Sequence, residues 1–203
     1  MIKMCKRVGL LLLVAALFWC GTLLSDKQML KNDLVRLHVI ANSDSETDQS
    51  VKLQVRDAIT ESLQEGMARA MDAEQAKTYL REHLSQLEDL TNETLQALGS
   101  SEHGIVQLVK EYFPTRHYET FSLPAGIYDS LKVTIGAGEG KNWWCVVFPE
   151  LCIPATMSGV EDVAEAGGFP EELTGALTGE PQYKIRFFFL DCLGRLEKLL
   201  QRG

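Results

Sequence analysis

The chain has 203 residues, 20 Lys and Arg against 28 Asp and Glu, and a formal net charge of -8. Residues 1–30 hold Lys3, Lys6, Arg7 and Lys27 against Asp26 alone, so the remainder carries 16 basic and 27 acidic residues, a net of -11. Nucleic acid and anionic lipid are poor partners for so acidic a body, which is long enough for one ordinary globular core.

Val8 to Leu24 contains no charge and comes after Lys3, Lys6 and Arg7. Seventeen apolar or small residues lie between a signal-peptide core and a short membrane span. The positive flank keeps the N-terminus inside and sends the rest of the chain outward. No A-x-A cleavage pattern closes the run, and Trp19 before Cys20 is too large for the usual lipoprotein signal. An uncleaved anchor, cleaved export and lipidation all stay open, and each exports the body. Residues 1–30 therefore read as signal peptide or signal anchor, and 31–203 as a single exported domain.

Leu34 to Ile40 predicts a strand, followed by polar turn chemistry at Ala41-Asn42-Ser43-Asp44-Ser45. Ser45 with Asp48 resembles a capping box, and Val51, Val55, Ala58, Ile59, Leu63 and Met67 keep helical spacing after it. Asp72 with Gln75 opens a second helix, with Ala76, Tyr79, Leu80, His83, Leu84, Leu87 and Leu95 on one face. Gly99 is placed to stop it. His83 on that face reads as a satisfied core residue rather than a ligand.

Strands return at 105–113 and 117–123, separated by Pro114. Leu131, Val133 and Ile135 then alternate with Lys132 and Thr134, and GAGEGK leads into the apolar run Trp143–Phe148. The pattern predicts a hairpin whose second strand is central to the sheet, ended by Pro149. Residues 157–180 are rich in Gly, Ala and acid, and read as a mobile excursion. Tyr183, Ile185, Phe187 and Phe189 alternate, whereas Ile185, Phe188, Cys192, Leu196 and Leu199 share a helix face. A short strand passing into a helix near Phe188 is the reading adopted. The expected class is α+β: a mixed or antiparallel sheet with two helices on one face, preceded by the membrane-targeting helix.

Catalytic chemistry is not visible in this pattern. The Gly-rich turn lacks the first Gly and the Ser/Thr of a phosphate loop, and a strand rather than a helix comes after it. The histidines at 38, 83, 103 and 117 have no metal-ligand spacing, no G-x-S-x-G elbow occurs, and no cofactor is implied. Export makes a disulfide between Cys145 and Cys152 possible, since a turn at Pro149 could close the distance; two buried thiols are the other reading.

LVRLHVIANSDS at 34–45, with Asp48-Gln49 and KLQVRD at 52–57, resembles the opening signature of the stage II sporulation protein R family. TRHYETFSLPAGIYDSLKVTIGAGEGKNWWCVVFPELC at 115–152 resembles that family's second signature. Together they cover about half of the exported part. The resemblance implies a non-enzymatic signal, exported from the forespore into the space between the septal membranes. It would activate a membrane-embedded aspartic protease in the mother cell, which processes the pro-form of the early mother-cell sigma factor. Candidate partner-binding residues are Gly138, Gly140, Lys141, Asn142, Trp143 and Trp144, with Asn42, Ser43 and Asp44 beside them. An exported thiol hydrolase pairing Cys145 with His38 or His117 is the competing class, and a structural envelope protein is the third.

Overall fold

The computed structural model describes residues 2–117, 122–149, 170–180 and 183–200. Helix α1 (Ile2–Asp33) is followed at once by β1 (Val35–Ile40), α2 (Glu46–Arg69) and α3 (Ala73–Ala97). Strands β2 (Gly104–Phe113), β3 (Arg116–His117), β4 (Ser122–Leu123), β5 (Gly126–Ile135) and β6 (Asn142–Phe148) come next. Two helices close the described part, α4 (Glu171–Thr178) and α5 (Lys184–Leu200).

Both N-caps form as the sequence implies, but the capping box is half made: the Ser45 N–H goes to the Ser43 hydroxyl at 3.2 Å and not to Asp48. The Ser45 hydroxyl accepts the Asp48 N–H at 3.1 Å, and Asp72 accepts that of Gln75 at 2.8 Å. Each removes one of the orphan donors of a helix N-terminus. Helix α3 ends with Gly99 at φ 73°, where its chain leaves the helical path. Val51, Val55, Ile59, Leu63 and Met67 of α2 then meet Leu80, Leu87 and Leu95 of α3 over one sheet face.

The main sheet has the order β2-β5-β1-β6. β1 runs parallel to β5, with Val35 opposite Asp129 and Ile40 opposite Thr134. It runs antiparallel to β6, with Leu37 opposite Cys145 and His38 opposite Trp144. β2 is antiparallel to β5 from Gly104–Ile135 to Phe113–Gly126. The α+β class and the mixed sheet therefore stand, but the expected hairpin does not. β5 and β6 are not neighbours: β1 lies between them, and β6 stands at the end of the strand order. The segment 136–141 spans two strand spacings, about 10 Å, which six residues cover easily. From Trp143 on, β6 is apolar because both sheet faces are covered, not because the strand is central.

The makeup of the second cover is the other departure. Leu23 and Leu30 of α1 join Phe113, Leu123, Tyr128, Val146, Leu173, Leu177 and Leu190 in a cluster on the opposite face. Helix α1 thus continues past residue 30, and its last two turns are structural. Of the stretch 157–180 read as an excursion, residues 157–169 lie outside the described residues. Glu171–Thr178 is a helix with Leu173, Ala176 and Leu177 buried. Two acids in its first turn favour that helix through the macrodipole, and its small residues allow close packing.

Among the described residues, Tyr183 is a turn and the expected short strand does not form. The helix begins at Lys184, and Phe187, Leu190 and Leu193 face the sheet at spacings of three. The alternation of Tyr183, Ile185, Phe187 and Phe189 arises from an aromatic run on a helix. Asp191 fixes α5 to the sheet: its Oδ1 accepts the Ala125 N–H at 3.1 Å and a short hydrogen bond from the Thr115 hydroxyl.

Candidate functional site

β1 ends at Ile40, and the loop after it meets the connection from β5 to β6. Asn42 is the hub of the meeting. Its Oδ1 accepts the Ala137 N–H at 2.9 Å, and its carbonyl accepts the Glu139 N–H at 3.1 Å. The Gly140 N–H reaches the Ala41 carbonyl at 2.9 Å, and the Lys141 N–H reaches Asp44 Oδ1 at 2.7 Å. Gly136 turns the chain at φ 57°, a conformation that side chains other than Gly rarely adopt. At Gly140 a Cβ would stand 2.2 Å from the Ser43 carbonyl oxygen, so only Gly permits this approach.

Helix α2 supplies the floor. Asp48 Oδ2 accepts from the Ser43 hydroxyl at 2.5 Å and from the Asn42 amide at 3.1 Å. The Ser43 hydrogen bond, with those of Asn42 and Ser45, holds the Asp48 carboxyl below its usual range. Gln49 donates to the Ser43 carbonyl at 2.8 Å. Lys52 is 4% exposed and donates to the Lys141 carbonyl at 2.9 Å and to Gln49 Oε1 at 2.6 Å. Burial pushes the Lys52 ammonium down from its ordinary pKa, with Asp44 opposing that shift. The two loops and the start of α2 form one hydrogen-bonded platform, with Asp44, Ala137, Glu139, Lys141 and Asn142 exposed at its rim.

Below the rim a polar layer crosses the second sheet face. His38 is 7% exposed. Its Nδ1 faces Glu111 Oε1 at 3.0 Å and its Nε2 faces the Asn142 amide at 2.8 Å, tying β2, β1 and β6 together. Lys132 stands 3.7 Å from the other Glu111 oxygen. Burial raises the Glu111 pKa, but the His38 hydrogen bond and charge, with Lys132, outweigh it and leave the carboxyl below its ordinary value.

Trp143 and Trp144 point to opposite faces, as neighbours in a strand must. Both are half-buried and both lie under a guanidinium. Arg56 sits 4.3 Å from the Trp143 ring, and Arg116 sits 3.5 Å from that of Trp144. His38 also packs on Trp144, with ring centroids 5.4 Å apart.

All nine candidate positions (Asn42, Ser43, Asp44, Gly138, Gly140, Lys141, Asn142, Trp143 and Trp144) thus fall in or directly beneath one platform. Residue spacing alone did not bring forward Gln49, Lys52, Arg56, Glu111 or Arg116. Gln49, Lys52 and Arg56 lie within the first signature, which was their available signal. Glu111 comes directly after Lys110 in β2, outside both signatures, and gave none.

The thiol reading finds no geometry. Cys145 is 1% exposed and disulfide-bonded, and it faces the α2–α3 core on the opposite side of the sheet from His38. His117 is an exposed residue of β3. Cys152 lies outside the described residues, while Cys20 and Cys192 are free thiols. His83 bonds the Tyr79 carbonyl at 2.7 Å and stacks on its ring. Among the described residues no three His, Cys, Asp or Glu side chains gather as a metal site.

Among known protein families, the one described as stage II sporulation protein R matches residues 31–158, more than half of the chain. A curated relative, stage II sporulation protein R of Bacillus subtilis (strain 168), is 35% identical over 124 residues. That alignment covers 61% of this chain and 55% of the relative's own length. No solved structure matches significantly.

Proposed function

The chain belongs to the stage II sporulation protein R family, which gives it a role in sporulation, and from that premise we propose that it is an exported signal rather than an enzyme. In this reading it leaves the forespore through α1 and acts in the space between the septal membranes, anchored or released. There it contacts a membrane-embedded aspartic protease of the mother cell, which then processes the pro-form of the early mother-cell sigma factor.

One observation carries the proposal. The two family-like blocks, 34–57 and 115–152, meet in a single hydrogen-bonded platform whose exposed rim lies at the end of β1 away from α1. A rigid, pre-shaped polar rim beside partly exposed Trp side chains suits recognition of another protein, since ordering costs are met on folding rather than on binding. The buried, disulfide-bonded state of Cys145 supports the non-enzymatic reading over the thiol hydrolase. Deleting the gene in the spore former should stop shortening of the pro-sigma factor on an immunoblot, and the intact gene should restore it. Normal shortening in the deletion strain would overturn the proposal.

A further inference from the structure

Helix α5 carries apolar residues on two sides. Phe187, Leu190 and Leu193 face the sheet, but Ile185 is 66%, Phe188 62% and Phe189 38% exposed. The helix stands where α1 leaves its apolar stretch. Arg186 Nε bonds Asp26 Oδ2 at 2.7 Å, Lys27 donates to the Leu193 carbonyl at 3.0 Å, and Lys27 pairs with Glu197 at 2.9 Å. Lys31 makes a further ion pair with Glu197. All four contacts lie within two turns of Leu24, the last residue of the apolar stretch.

The length of that stretch sets its depth. Val8 to Leu24 rises about 25 Å as a helix, less than the roughly 30 Å of a bilayer's hydrocarbon core. An embedded α1 therefore uses the whole stretch up to Leu24. Yet Leu23 is packed in the second-face core, and the Trp19 ring meets that of Phe189 edge-on at 4.8 Å. Phe188 in turn packs on Phe189 at 5.7 Å. The folded body thus reaches down α1 to the level of Trp19.

We propose that the N-terminal half of α5, through Ile185, Phe188 and Phe189, is a lipid-contacting foot that seats in the outer interface of the membrane crossed by α1. It rests on the reading of α1 as a membrane anchor. Phe is among the side chains that helices lying in that interface use on their buried face. The body is acidic, so the contact is carried by apolar side chains and needs no anionic lipid. A second protein copy would also cover the patch, but it would not explain why the patch adjoins the end of the apolar stretch.

The test uses the full chain in phosphatidylcholine vesicles, with Cys5, Cys20 and Cys192 changed to Ser and Phe188→Cys carrying a polarity-sensitive fluorophore. The label should emit as in an apolar medium and be quenched by lipids brominated on their acyl chains. The same label at Glu139→Cys, on the platform, should be quenched only from water. A second version keeps Phe188 and labels native Cys192, so that no aromatic residue is altered. Protein that floats with the vesicles while both α5 labels report water would overturn the foot and leave the anchor standing. Labels shielded from both lipid and water would place a protein contact there and also overturn it. Failure to float would overturn the anchor reading, and the foot with it.

Discussion

Asn42 and Ala137 are 95 residues apart, and the Asn42 side chain joins them by accepting the Ala137 N–H at 2.9 Å. With the Gly140 N–H on Ala41 and the Lys141 N–H on Asp44, it makes two distant loops one unit. The β5–β6 connection has no strand partner of its own, so these bonds decide its shape.

Gly140→Ala should therefore be costly out of proportion to one methyl group. The new Cβ would meet the Ser43 carbonyl at 2.2 Å and the Ala41 side chain at 2.9 Å, neither on a flexible arm. A loss of about 1–3 kcal/mol is expected, within the range for strain and broken hydrogen bonds. Urea unfolding measures it, and a midpoint equal to the parent's would show that the two loops are not held together as described.

The Glu111–His38 contact should make the fold acid-sensitive. The Glu111 carboxyl is held below its ordinary 4.5 in the folded state. Its contribution is therefore complete above the unfolded value and is lost as pH falls through the folded one. Glu111→Gln should lower stability at neutral pH by about 1–3 kcal/mol, the cost of one charged hydrogen bond. It should also flatten the dependence of unfolding midpoint on pH through the carboxylate range. An unchanged pH slope would mean that other carboxylates carry the effect.

These contacts show what the sequence made legible and what it did not. Ser45, Asp72 and Gly99 act through neighbours three to five residues away, so caps and helix limits were readable from local chemistry. Strand order was not. Nothing in the period-2 pattern of Leu131 to Ile135 says that β1, ninety residues earlier, enters between β5 and β6. The continuous apolar run of β6 reports covered faces and is silent about which strand lies at its edge. Helix α4 was missed because Gly175, Ala176 and Gly179 give a weak apolar signal, although Leu173 and Leu177 bury fully or nearly so. The platform was half legible. Both loops were candidates, but their union rests on backbone hydrogen bonds that composition does not report.

Cys145 is already bonded in the folded protein, and Cys152 is the expected partner. Alkylation without reduction followed by mass spectrometry should leave Cys145 and Cys152 unmodified and modify Cys192, which is exposed and free. Modification of both Cys145 and Cys152 would restore the reading of two thiols. A loop with six intervening residues contributes at most ~3 kcal/mol by chain entropy, so Cys145→Ser should weaken the domain without unfolding it.

Leu11, Leu12 and Leu13 are all exposed in the first half of α1's apolar stretch. Replacing the three with Asp should keep the protein in the cytoplasm, since a charge costs up to roughly 2.5–3.5 kcal/mol on insertion scales, the value at a helix centre. Fractionation reads the outcome, and normal sigma-factor processing by the retained protein would remove export from the mechanism.

The last prediction separates recognition from stability at the platform. Trp143 packs toward the α2–α3 core under Arg56, and Trp144 toward the opposite cluster under Arg116. Neither ring is freely presented, so Trp143→Ala and Trp144→Ala should both lower the thermal midpoint. Full burial would set the loss at about 3–5 kcal/mol, and half-burial places it toward the lower end. Either substitution will then reduce sigma-factor processing through the fold, which says nothing about contact. Lys141 and Glu139 give the cleaner test. Both are exposed, and both enter the platform through backbone groups: Lys141 by its N–H on Asp44 and its carbonyl under Lys52, Glu139 by its N–H on Asn42. Lys141→Ala and Glu139→Ala keep those bonds and should leave the midpoint within about 0.5 kcal/mol of the parent, as exposed sites usually do. If the rim meets the protease, the double variant should process the pro-sigma factor poorly at unchanged stability. Parent-level processing by that variant, beside loss in the Trp variants, would confine the platform to a structural role and move recognition to another surface.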